Sequence, residues 1–600
     1  MPGLAFIRPA LAALAGLALA CSFPTANQAS LAWLGPGLML GAALGTRGRR
    51  SFVLGYLAGF VQHLVALRWL LNIPFPAGAV AGWIALSAYV ALYQGTWVWA
   101  CLRFLPDAAS RGCAATDPPV AWKSAITRLA DQSWTRRAAW CVAAGASWAA
   151  GEMILGRFLS GFPWNFLGTS QYQALPLIQI ASVTGVYGVS FLVAWASTAV
   201  LVTSVKVLER IVAPAAKPAW PAAGPTGRSP LRRLGSPRGP HPLVVSFRFA
   251  LMADLGAPLL VIVALMIGAS GRLLTPPPPA PELRVAVVQP SIPQRLIFDS
   301  RESTNRFNAI MELSGLALAA HPDLLVWPES SLPGFEESHY RALTNLVARH
   351  KAWMVFGADD AEPAPLTEAA GKYRYYNSAF LLDPQGRLAG TYRKRRLVIF
   401  GEYVPLERWL PFAKYLTPID GSFTPGPGPV WFRTTPPEAR FAPLICFEDV
   451  FPESARAAVD PETDFLLNLT NNGWFGEAAA QWQQAASAVF RAVENRVPLV
   501  RCTNNGLTCW IDANGRLREA GLDSPREVYG PGFKIFRVPL RPPGTRRTPT
   551  FYGAHGDVFG WGCVGVALLG LAGTWRRHPV AAREFPTAPP AGSEPDKDRP

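Results

Sequence analysis

Two hydrophobic patterns divide the chain. Up to about residue 272, apolar residues run in long stretches separated by short polar loops. A hydrocarbon core about 30 Å thick needs roughly 20 residues of helix. Candidate spans lie near 4–22, 30–46, 52–73, 78–102, 139–156, 174–204 and 249–270, with an eighth at 557–574. The first resembles a signal peptide, but its apolar run is long and no clean small-residue cleavage site precedes a soluble domain, so a retained helix is expected.

Between residues 283 and 548 the runs shorten and strands alternate with helices. "LRVAVVQP" (283–290), "DLLVWPES" (323–330), "WMVFGADD" (353–360), "FAPLICFED" (441–449) and "FLLNLTNNGWF" (465–475) read as strands and their ends. Helical stretches are expected at 302–320, 337–350 and 479–496, a hairpin turning at "DPQG" (383–386), and a closing strand near 532–538. Such alternation with hairpins means a mixed α/β domain of two packed layers or more. The predicted organisation is an α-helical multi-pass membrane domain of about eight transmembrane helices, with the α/β domain inserted between the seventh and eighth. The boundaries are 1–272 for the membrane domain, 273–282 for a proline-rich linker, 283–548 for the α/β domain, 549–578 for the last helix and its flanks, and 579–600 for a disordered cytoplasmic tail. The segment 206–246, rich in Pro, Gly and Arg, also reads as linking, and "TPPPPAPE" (275–282) as a stiff spacer lifting the α/β domain off the membrane.

The formal charge of +16 would suit a nucleic-acid partner, but its distribution points elsewhere. Arg47, Arg49 and Arg50 follow the second stretch. Arg103, Arg111, Lys123, Arg128, Arg136 and Arg137 follow the fourth; Lys206, Arg210, Lys217, Arg228, Arg232, Arg233 and Arg238 follow the sixth; Arg576 and Arg577 follow the eighth. Loops 23–29 and 74–77 carry no positive charge, and 157–173 carries only Arg157. Every alternate loop is basic, which puts both termini in the cytoplasm and the α/β domain outside. The apolar stretches show no paired charges of the kind that line an ion pathway, with Arg68 and Glu152 as exceptions. Eight dispersed cysteines and seven dispersed histidines have no metal-ligand spacing, so neither a metal nor a cofactor is expected.

Three residues at strand ends carry candidate chemistry: Glu329 in "VWPES", Lys394 in "YRKRRL" and Cys446 in "LICFED". A thiol attacks a carbonyl as thiolate and needs a base or a nearby cation to reach that state. A carboxylate can take its proton, and a lysine can hold a tetrahedral oxyanion. The trio contains the parts for acyl transfer through a thioester. Taken singly, each also reads as a turn residue, a solvated cation and a core thiol, and spacing does not show that they meet.

These motifs resemble the nitrilase superfamily, whose Glu-Lys-Cys triad sits on a four-layer α-β-β-α sandwich. Together with the eight-helix arm they resemble the apolipoprotein N-acyltransferase family, through "GFPWNFLG" (161–168), "KRRLVIFGEYVPLE" (394–407), "ICFE" (445–448), "TNNGWFG" (470–476) and "RCTNNGLT" (501–508). The resemblance implies Glu329 as general base and acid, Lys394 at the oxyanion, Cys446 as nucleophile and Glu402 as a second carboxylate near the lysine. Glu448, Phe447, Trp474, Asn377 and Trp164 would shape the site, with Phe447 standing where many members have tyrosine. A phospholipid would donate a fatty acyl chain to Cys446, which would pass it to the α-amino group of a diacylglyceryl-cysteine at an apolipoprotein's N-terminus. The implied setting is the bacterial inner membrane with the α/β domain in the periplasm, and a monomer is expected. An amidase or nitrile hydrolase anchored in the membrane is the alternative, with water as acceptor; a catalytically dead binding module would lack a triad member. "PLERWLPFAKYLTP" (405–418) could be a lid at the interface. An Asn505-Gly506 turn would set Cys502 opposite Cys509 as a hydrogen-bonded pair, where two reduced thiols are expected rather than a disulfide.

Overall fold

The computed structural model describes residues 4–105, 118–212, 242–275, 279–297, 299–332, 336–365, 373–405, 421–519, 521 and 528–576. Most of the 206–246 linker, residues 406–418 of the expected lid and the tail lie outside these residues.

The arm begins with helices α1 (Leu4–Cys21), α2 (Gly35–Ala43), α3 (Arg49–Ala66), α4 (Pro76–Phe104), α5 (Pro118–Ala130) and α6 (Trp134–Leu155). It continues with α7 (Val186–Val212) and α8 (Pro242–Leu274). By length and composition, four described helices can cross a membrane: Pro76–Phe104, Trp134–Leu155, Val186–Glu209 and Asp254–Leu274. The apolar helices at Phe6–Cys21, Ala29–Ala43, Leu175–Thr184 and Val558–Gly573 are shorter. Two expected spans are broken: 52–73 ends as helix at Ala66 and continues as a 3-10 turn (Arg68–Asn72), and 174–204 opens with two single turns before α7. Helix α5 was not expected. Leu259, Leu260, Ile267, Leu568 and Leu569 face outward, as lipid-facing residues do. Buried Asp254 of α8 accepts from Arg137 at 2.9 Å and Lys206 at 3.2 Å, both among the cations counted above with the basic loops.

The α/β region contains two six-stranded sheets. The first has the order β12-β1-β2-β3-β4-β5 and the second β11-β10-β9-β8-β7-β6. The strands are β1 (Glu282–Gln289), β2 (Leu324–Val326), β3 (Trp353–Pro363), β4 (Tyr373–Leu382), β5 (Leu388–Arg393) and β6 (Phe432–Thr434). They continue with β7 (Ala439–Ile445), β8 (Phe465–Thr470), β9 (Leu499–Thr503), β10 (Cys509–Ile511), β11 (Leu517–Arg518) and β12 (Gly532–Pro539). Period-2 alternation builds the layers. Leu283, Val285 and Val287 meet Phe465, Leu467 and Leu469 between the sheets, while Ala286 and Val288 turn outward onto helices α9 (Ser303–Leu318) and α10 (Glu337–His350). On the other side, Leu444, Leu466 and Leu499 pack on helix α11 (Ala479–Asn495). The result is a four-layer α-β-β-α sandwich, followed in the chain by α12 (Val558–Arg576).

The sandwich is seated on the arm, not lifted off it by the proline-rich stretch. One continuous core runs from Leu444 and Leu466 through Val489 and Val493 to Ile178, Ala181 and Val186 of the arm. Helix α11 belongs to both halves: Glu494 Oε1 accepts from Val186 N at 2.9 Å. A second correction concerns the cysteines. Five residues, not two, separate β9 from β10, and Cys509 lies opposite Arg501, so Cys502 has no cysteine across from it. Both thiols are free and buried.

Candidate active site

Every candidate triad residue sits just past the carboxyl end of a strand. Glu329 follows β2, Lys394 follows β5 and Cys446 follows β7, so two come from one sheet and the thiol from the other. Lys394 is 1% exposed, and an unpaired ammonium there would be very costly. Its Nζ donates to Glu329 Oε1 at 3.2 Å and Glu402 Oε1 at 2.8 Å. Asn377, within β4, donates from one amide nitrogen to the same two oxygens, each at 2.8 Å. The backbone N–H of Asn471 holds Glu329 Oε2 at 2.9 Å, and that of Val398 holds Glu402 Oε2 at 2.9 Å. The structure thus brings Glu329, Lys394, Glu402 and Asn377 into one buried network, with two carboxylates around one ammonium.

Cys446 has a left-handed backbone (φ 51°), a strained conformation for a residue with a side chain, held by its neighbours. Its carbonyl accepts from Asn468 Nδ2 at 3.0 Å and Gln484 Nε2 at 2.8 Å. Burial, then the charge of Glu329, pushes the thiol up to about 12, with Lys394 pulling the other way. Burial by itself would lower Lys394, but the charges of Glu329 and Glu402 prevail and raise it well above the ordinary lysine value. Asp359, across from Asn377 in the β3–β4 pairing, is pushed up to about 6 by desolvation and by the charges of Glu329 and Glu402.

Glu448 does not line a pocket; it is a fully buried clamp. Oε1 accepts from the backbone N–H groups of Arg395 and Arg396 at 2.8 and 3.1 Å, and Oε2 from Tyr392 Oη at 2.7 Å and Ile445 N at 2.8 Å. It fastens the residue after the lysine to the residue before the cysteine. Beside it, Asp449 forms a buried ion pair with Arg501.

Phe447 points to the arm. Its ring stacks on Trp164 (6.0 Å between centroids, 25°) and meets Phe451 edge-on at 4.9 Å. Trp164 packs on Trp69 at 5.1 Å, and Trp69 meets Phe475 at 4.5 Å. Trp474 lies in the neighbouring 3-10 turn, Asn472–Phe475. An aromatic wall therefore rises from the arm against the residue following the thiol. Asn471, Asn468, Gln484 and Tyr392 were missed by sequence reasoning; all but Gln484 fall in a quoted stretch, but each acts through a partner distant in sequence.

The carbon-nitrogen hydrolase family matches residues 284–526, and the apolipoprotein N-acyltransferase N-terminal domain matches residues 15–199. The apolipoprotein N-acyltransferase of Geobacter metallireducens is 33% identical over 582 residues, spanning 95% of this chain and 96% of its own. That of Caulobacter vibrioides is 29% identical, spanning 81% of this chain and 86% of its own. Among solved structures, an amidase from Nesterenkonia sp. is 17% identical with a TM-score of 0.33, covering 44% of this chain and 93% of its own. The fold and the site define a carbon–nitrogen hydrolase domain seated on an apolar helical arm. The chain belongs to the apolipoprotein N-acyltransferase family.

Proposed function

We propose that the protein moves a fatty acyl chain from a phospholipid to the α-amino group of a diacylglyceryl-cysteine at a lipoprotein's N-terminus, with Cys446 carrying the chain between them. The observation that carries the reading is the convergence of Glu329 and Lys394, past the ends of two strands, with Glu402 on the same ammonium and the residue after Cys446 stacked on a tryptophan of the arm.

In the first half-reaction Sγ attacks the ester carbonyl carbon while Glu329 takes the thiol proton. Lys394 stabilises the oxyanion. Collapse breaks the ester C–O bond, and the leaving alkoxide takes the proton from Glu329, releasing lysophospholipid. In the second, the neutral amine attacks the thioester and Glu329 accepts its proton. The C–S bond then breaks, the proton returns to the thiolate, and the product is an amide. Glu402 keeps the lysine charged and aimed, and Asn377 spaces the two carboxylates. Both lipids reach the site along the aromatic wall. The alternation of basic loops supports an outward-facing sandwich and cytoplasmic termini, and both substrates are lipids of the same outer leaflet.

The test is peptide mass spectrometry around Cys446 after incubation with phospholipid in detergent, with Cys446→Ala as control. An acyl thioester on Cys446 that disappears on adding a diacylated lipopeptide is expected. A folded protein whose thiol stays unmodified with several phospholipids would sink the transferase reading.

A further inference from the structure

Helix α11 carries two adjacent glutamines that face opposite ways. Gln484 reaches the nucleophile's turn: its Nε2 donates to Cys446 O and to Asp449 Oδ1, each at 2.8 Å, and its Oε1 accepts from Asn472 Nδ2 at 2.7 Å. Gln483 reaches the arm. Its Oε1 accepts from the indole N–H of Trp164 at 2.8 Å and of Trp69 at 3.1 Å. Its Nε2 donates to Pro24 O at 2.8 Å and Ala66 O at 3.1 Å. The side chain is 2% exposed, and both lone pairs and both N–H groups are used. Two indole donors require an oxygen and two carbonyls require an amino group, so the amide has only one satisfactory orientation.

We propose that Gln483 is a positioning residue for the acyl donor: it sets the two arm tryptophans into the wall that guides a phospholipid to Cys446. The inference rests on the transferase reading. Trp164 meets Gln483 through its N–H and Phe447 through its face, so one ring links the arm to the residue beside the nucleophile. A leucine at 483 would leave both indoles free to turn, and the wall would lose its shape while Cys446, Lys394 and Glu329 kept their own hydrogen bonds. The effect therefore falls on the lipid donor and not on thiol reactivity, which a merely structural bolt between the halves would not produce.

The experiment uses the full chain in detergent and two readouts at Cys446: acyl-enzyme formation from phospholipid, and alkylation by iodoacetamide. Gln483→Leu is expected to slow acylation about tenfold, the scale of a sub-ångström misplacement, while alkylation stays within about twofold. The isosteric Gln483→Glu keeps an oxygen for both indoles but sets its second oxygen against Pro24 O and Ala66 O, which need a donor, and is expected to lose acylation selectively as well. If the leucine variant does not melt cooperatively, Gln483→Asn replaces it; one methylene shorter, it cannot hold both indoles and is expected to show the same selective loss. Acylation at the wild-type rate in the folded Leu or Asn variant would overturn the proposal, as would equal losses in acylation and alkylation. Wild-type protein that alkylates but never acylates would instead overturn the transferase reading, and this inference with it.

Discussion

At the scale of single residues, Cys446, the nucleophile proposed above, rests as a thiol. Its value of about 12 puts almost none of it in the thiolate form near neutrality, so the proton must leave as the sulfur attacks. Because burial and Glu329 both raise it, alkylation of Cys446 should climb about tenfold per pH unit between pH 7 and 10 without a plateau. Replacing Glu329 by Gln removes a negative charge that opposes ionisation and leaves Lys394, which favours it. The thiol value then falls and iodoacetamide reacts faster at pH 8. Acyl transfer, for which Glu329 is the proposed base, should drop by roughly 10²–10⁴. Opposite movements in the two assays identify Glu329 as the base; a loss in both would make it a scaffold.

At the scale of elements, strand β3 sets where Glu329 stands. Gly357 N donates to Pro328 O at 3.2 Å, and Gly357 O accepts from Ser331 N at 2.9 Å and Ser331 Oγ at 3.2 Å, so the strand lies directly against the turn after β2. A Cβ on Gly357 would lie 2.6 Å from Pro328 O, 2.7 Å from Glu329 Cα and 2.9 Å from Ser330 N, none of which can swing away. Gly357→Ala should cost about 1–3 kcal/mol of stability and roughly ten- to a hundredfold in acyl transfer, by displacing Glu329 from Lys394. Gly315→Ala, with open space around it on α9, serves as the control and should match or exceed wild-type stability. Thermal melts and initial rates decide, and an active, stable Gly357→Ala protein would remove the strand from the account. The strands themselves were legible, because alternation survives wherever one face meets helices and the other a second sheet; "LRVAVVQP" and "FLLNLTNNGWF" announce β1 and β8 plainly. Helix α11 was legible too, but not the partners of Gln483 and Gln484, because glutamines on an apolar helix carry no mark of what they face. Glu402 came only from resemblance, since a carboxylate eight residues past a lysine predicts no contact until the loop between them is known. The Cys502–Cys509 register failed because Asn505-Gly506 reads as a two-residue turn, whereas Thr508 folds inward to bond Gln289 and lengthens the loop.

At the scale of the whole molecule, the shared core leaves the sandwich no freedom to hang from a linker, so the direction it faces is the direction the arm faces. Arg157 pairs with Asp557 at 2.5 Å, binding the loop before α7 to the start of α12, and Thr550 Oγ1 donates to Glu494 O at 2.6 Å. The last helix is thereby pinned beside the sandwich at its beginning, while Arg576 closes its far end. Carrying arginine across hydrocarbon is costly, so the proposed orientation keeps the basic loops on the cytoplasmic side. Arg301, exposed on the sandwich, and Arg50, exposed at the start of α3, should therefore lie on opposite sides of the membrane. With Cys446 replaced by Ala, Arg301→Cys should react with a membrane-impermeant maleimide in intact spheroplasts, and Arg50→Cys only after lysis. The reverse labelling would turn the molecule over and set the catalytic face in the cytoplasm, away from the outer-leaflet lipids that the proposed reaction needs. Equal labelling of both before lysis would mean that the shorter helices do not all span.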